Sequence, residues 1–156
     1  MKIYRSLLLA GALSLAAFVT AFAANPHMGT WKLDEAKSKL SPGATKNHTV
    51  TYTEAEGDMI KLTVDGTDKD GKQVHWTWMG KFDGKAYEIK GNAMADMASY
   101  KPVDDHTNEL TLMKEGKVVA TGTIKVSKDG QSRVVTTTMT DAEGKKLTDE
   151  AYYTKE

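Results

Sequence analysis

Arg133 is the only arginine after residue 23, and it stands among 18 lysines. A guanidinium is planar and always charged. It can hold an oxyanion through two parallel hydrogen bonds, or stack on an aromatic face. Tyr52, Trp76, Trp78, Tyr87, Tyr100 and Tyr153 are the aromatics that could line a cavity for a small apolar ligand; plain core is the alternative. Met94 and Met97 form a Met-x-x-Met pair, which suggests soft-metal binding. No third sulfur or nearby histidine completes it, and flexible thioethers also fill irregular gaps.

Other chemistry is sparse. His27, His48, His75 and His106 stand at no metal-ligand spacing from one another, and none lies in an H-E-x-x-H motif. Asp104-Asp105 precedes a strand and reads as turn chemistry rather than an acid–base pair. There is no G-x-S-x-G elbow, P-loop or dinucleotide fingerprint. The expectation is a non-enzymatic protein with no cofactor and no metal.

The elements that must position these residues are strands. Acid–glycine pairs recur at Glu56-Gly57, Asp70-Gly71, Asp83-Gly84, Glu115-Gly116, Asp129-Gly130 and Glu143-Gly144. Tight hairpin turns need residues that accept positive φ, and glycine does so without steric cost. Between the pairs run Val, Ile, Thr, Tyr and Trp, which suit a pleated, half-buried surface. Ile60, Leu62 and Val64 alternate with Lys61, Thr63 and Asp65; Val74, Trp76 and Trp78 alternate with His75, Thr77 and Met79. In 117–127, Val118, Ala120, Gly122, Ile124 and Val126 form one face. About ten strands in series predict an all-β, up-and-down antiparallel barrel of eight to ten strands, because closure removes exposed edges. Residues 34–39 have room for a helical turn or two, and 91–97 read as irregular. The stretch 67–74 echoes 140–147 at an offset of 73, which equal hairpin turns would explain without duplication.

Residues 1–23 read as a cleavable export signal. Lys2 and Arg5 precede an apolar run, and Ala21-Phe22-Ala23 is a small-x-small cleavage site. Removal leaves a single domain, 24–156, of 156 − 23 = 133 residues and net charge 19 − 21 = −2. That size supports a core without staples, and the absence of cysteine excludes disulfides and a lipidated cysteine. Near-neutral charge leaves no footprint for nucleic acid or for an anionic membrane. The expected product is a periplasmic or secreted monomer.

Gly29-Thr30-Trp31-Lys32-Leu33 resembles the first-strand Gly-x-Trp signature of the lipocalin and fatty-acid-binding-protein superfamily, and Ala151-Tyr152-Tyr153 falls where the latter have their last strand. The chain is also similar to small exported bacterial lipocalin-like proteins. The resemblance implies a barrel, Trp31 packed across its closed end, and Arg133 covering Trp31 by a cation–π contact. It departs from the fatty-acid-binding proteins twice. The 34–45 segment is too short for a helix–turn–helix lid, and Ala151 stands where an Arg-x-Tyr pair would grip a carboxylate. Two functions remain. One is a barrel binding a small hydrophobic or amphiphilic molecule through Tyr52, Trp76, Trp78, Tyr87 and Tyr100. The other is a filled barrel acting as a structural or inhibitory protein-interaction module.

Overall fold

Two-residue and slightly longer turns dictate the topology. At Glu115-Gly116 both central residues have positive φ, 50° and 77°, as a type I′ hairpin requires. Glutamate is unusual there, and its amide is held by the Asp96 carboxylate at 2.9 Å. The echo between 67–74 and 140–147 is one turn used twice. Asp68 accepts from the amides of Asp70 and Lys72, and Asp141 from those of Glu143 and Lys145. In these two turns the organising carboxylate lies two residues before the acid–glycine pair, not within it.

A computed structural model describes residues 24–156; the export signal read over 1–23 lies outside the described residues. Ten strands follow in order: β1 (Gly29–Leu33), β2 (Lys46–Ala55), β3 (Met59–Thr67), β4 (Gln73–Gly80), β5 (Ala86–Lys90), β6 (Met97–Asp104), β7 (Thr107–Lys114), β8 (Lys117–Val126), β9 (Ser132–Thr140) and β10 (Lys146–Lys155). Each pairs antiparallel with its sequence neighbours, and β1 also pairs with β10, closing an up-and-down barrel. Trp31 sits at the seam, opposite Val50 on one side and Lys155 on the other.

The segment 34–39 forms turns rather than a helix. Its backbone groups are committed to β10: Lys39 and Glu150 exchange amide–carbonyl bonds at 2.8 Å. Ser38 Oγ donates to the Asp34 carbonyl and accepts the Tyr152 amide. These contacts compensate for the shortness of β1.

Alternation sorts the faces as the sequence pattern predicts on β3 and β4. Leu62, Val64, Trp76 and Trp78 are buried, whereas His75 and Met79 face solvent. On β8 the pattern fails at one point. A bulge between Leu112 and Met113 shifts the register against Val118, so Val118 is 59 % exposed while Ala120, Ile124 and Val126 remain inside. At Gly122 the β8 and β9 backbones leave no room for a side chain, since a Cβ there would collide with the Thr136 carbonyl oxygen. Gly122→Ala is expected to cost about 1–3 kcal/mol by forcing the two backbones apart. Urea melts check this: a lowered midpoint at unchanged slope is expected, and an unmoved midpoint contradicts the close approach.

Candidate functional site

The barrel has two unlike ends. The segment before β1 and the β2–β3, β4–β5, β6–β7 and β8–β9 connections lie at one end; the remaining connections lie at the other. Side chains fill the first end. Trp78 meets Tyr100 edge to face at 4.7 Å between ring centroids, stacks on Phe82 at 6.3 Å, and donates its indole N–H to the Ala98 carbonyl. Residues 25–28 fold across the opening. The Trp31 indole N–H donates to the His27 carbonyl at 2.9 Å, Lys155 Nζ donates to the Pro26 carbonyl at 3.0 Å, and the His27 ring meets Phe82 edge-on.

Above this floor the interior is open. A cavity of about 550 Å³ runs up the barrel, walled mainly by aliphatic side chains such as Val50, Leu62, Val64 and Ile124. Its mouth is framed by residues 40–47, the 68–70 turn and the loop 91–95. Asn92 shapes that loop by accepting the amides of Met94 and Ala95. Met94 lies at the mouth, 55 % exposed, whereas Met97 is on β6 and is not part of the lining.

The predicted site residues divide between these zones. Tyr52, Trp76 and Tyr100 border the cavity, with Tyr153. Trp78 and Tyr87 do not. Trp78 points from β4 one inward position nearer the filled end, and Tyr87 packs on it while donating its hydroxyl to Asp83 at 2.7 Å. Gly29 opens β1 beside the Lys155 side chain, and Trp31 is fully buried.

Arg133 occupies the junction between the two zones. It is 2 % exposed and borders the cavity floor. Its guanidinium carbon lies 4.7 Å from the Trp31 ring centroid, 4.8 Å from Tyr153 and 5.2 Å from Tyr52. The cation–π contact implied by the resemblance is thus present, and two tyrosines extend it. Nε and Nη1 have no hydrogen-bond partner, and Arg133 belongs to none of the ion pairs among the described residues. Burial raises the Tyr153 phenol to about 12, against the opposing pull of Arg133. Burial also holds Tyr100 well above its ordinary range, with Tyr52 adding to the effect. Both phenols therefore remain protonated donors at neutral pH.

Two features escaped the sequence reading. Asp149 is largely buried and borders the cavity, its carboxylate accepting the Ser41 amide at 2.6 Å. Period two through Leu147, Asp149, Ala151 and Tyr153 was the available signal. His27 is 3 % exposed, with Nε2 unpartnered. Burial lowers its pKa from 6.5 to about 4, and neighbouring Arg133 lowers it further within that shift. No residue periodicity marks His27, which lies outside the strands. Among the described residues no three His, Asp or Glu side chains converge to hold a metal.

No protein-family model matches the chain, and no curated protein matches it.

Proposed function

We propose that this is an exported, non-enzymatic barrel that holds one small hydrophobic or amphiphilic molecule in its interior, as a lipocalin-like protein would. The cavity of about 550 Å³ carries this reading. It falls within the roughly 300–1,000 Å³ that ligand sites span, and its wall is mostly apolar, with polar and charged residues such as Lys46, Asp68, Lys69 and Asp70 around the mouth. Small barrels are often filled by their own side chains; here only the end at Trp31, Trp78 and Phe82 is. That filled end favours the second reading, a structural or inhibitory interaction module, but it accounts for one end of the barrel only.

Saturable binding of the neutral probe N-phenyl-1-naphthylamine, followed by its fluorescence, tests the proposal. Ala120 borders the cavity. Ala120→Leu fills part of the space and is expected to weaken the probe at least about fivefold, since overpacking typically costs about 1–3 kcal/mol. A folded wild-type protein that never saturates with probe overturns the reading.

A further inference from the structure

The inward face of β10 sets one charge in an apolar row. Leu147, Asp149, Ala151 and Tyr153 all border the cavity, and Asp149 is 8 % exposed. One Asp149 carboxylate oxygen accepts the Ser41 amide at 2.6 Å, which ties the side chain to the mouth segment. The other accepts none of the hydrogen bonds among the described residues. It is also not one of their fully enclosed, unpartnered atoms, so it keeps accessible surface. Thr137 stands opposite Asp149 on β9 and borders the cavity as well.

A buried carboxylate is ordinarily paired with a cation, because its desolvation is otherwise uncompensated. Asp149 belongs to none of the ion pairs among the described residues. The cations that border the cavity are placed elsewhere. Lys46 pairs with Glu35 at 2.6 Å, and Lys69 with Asp70 at 2.9 Å. Arg133 faces Tyr153 across the β9–β10 pair. That is roughly 13 Å along the strand from Asp149, at the usual rise per residue. The other carboxylates on the wall are committed too: Asp68 accepts amides of its own turn, and Asp70 holds Lys69. Asp149 alone among them stands without a counter-charge, above a shaft walled by Val50, Leu62, Val64 and Ile124.

We propose that Asp149 seats the protonated head of a long-chain amine, with the apolar tail running down the cavity toward Trp76 and Tyr100. The proposal deepens the cavity reading and rests on it. An ammonium carries three donors and no acceptor. The free Asp149 oxygen and the Thr137 hydroxyl accept two of them, and the third stays toward water at the mouth. A charge-assisted hydrogen bond gains strength in so apolar a wall, and the ligand supplies the cation that the fold omits.

The test measures binding of decylamine, 1-decanol and 1-decanesulfonate to the intact protein by calorimetry. The buffer is at about pH 7, where an alkylamine is protonated as lysine is. Decylamine is expected to bind at least about tenfold more tightly than decanol, and decanesulfonate the least tightly of the three. Asp149→Asn keeps an acceptor for the Ser41 amide. It should bind decanol as wild type does and lose the amine preference. The order of the three probes on wild type needs no variant. Decanol or decanesulfonate binding as tightly as decylamine overturns the amine seat and leaves the cavity reading intact. An amine preference that survives in folded Asp149→Asn overturns the assignment to Asp149. Failure of all three probes and of the naphthylamine overturns the cavity reading, and the amine seat with it.

Discussion

Trp31→Ala is expected to destabilise the protein by about 3–5 kcal/mol, the cost typical of removing a fully buried large aromatic side chain. Trp31 has no exposed surface and sits at the β1 seam where the barrel closes. Its loss leaves a void beneath Arg133 and Lys155 and frees the His27 carbonyl from its indole donor. The two cations then face each other without the ring that both lie over. Trp31→Phe keeps most of the apolar volume but not the indole N–H, and should recover more than half of the loss. Urea melts of the three proteins separate these terms. A Trp31→Ala midpoint close to wild type would show that the seam does not depend on this ring.

Acid provides the second large effect. The folded protein holds His27 at a pKa of about 4, against 6.5 in the unfolded chain. The unfolded state therefore binds more protons between those values, and stability falls as pH drops from about 6.5 to 4. The full contribution is present above 6.5 and is lost as pH falls through the folded value. Its size is about 3 kcal/mol, from about 1.36 kcal/mol per unit. The carboxylates of Asp83, Asp104 and Asp129 are also held below their ordinary values, chiefly by hydrogen bonds, but they are fully exposed and act at lower pH. His27→Gln removes only the imidazole titration. Its unfolding free energy should be nearly flat over the interval in which wild type declines. Parallel profiles for the two proteins would refute the assignment to His27.

The barrel was legible because its cause is local and repeated. Alternation on β3 and β4 fixes which face is apolar, and the turn sequences between strands leave only neighbouring strands within reach. Trp31 and Arg133 were legible through resemblance, and their contact is present in the structure. The cavity was legible in part: Tyr52, Trp76, Tyr100 and Tyr153 border it, whereas Trp78 and Tyr87 do not. Trp76 and Trp78 have the same type and adjacent inward positions, yet one borders open space and the other is locked among Phe82, Tyr87 and Tyr100. Which inward residues meet one another depends on the shear and taper of the closed barrel, to which no single strand's pattern refers. The same holds for β8, where a bulge turned Val118 outward against its own alternation. Residues 34–39 were open to a helical reading because their fate is decided by β10, more than a hundred residues away.

Native mass spectrometry of the protein purified from its own host tests the central claim most directly. An occupied cavity predicts a population heavier than the bare chain by one small molecule, released on mild activation and reduced in Ala120→Leu. Bare mass alone, from folded protein that also fails to retain added N-phenyl-1-naphthylamine, would contradict the account.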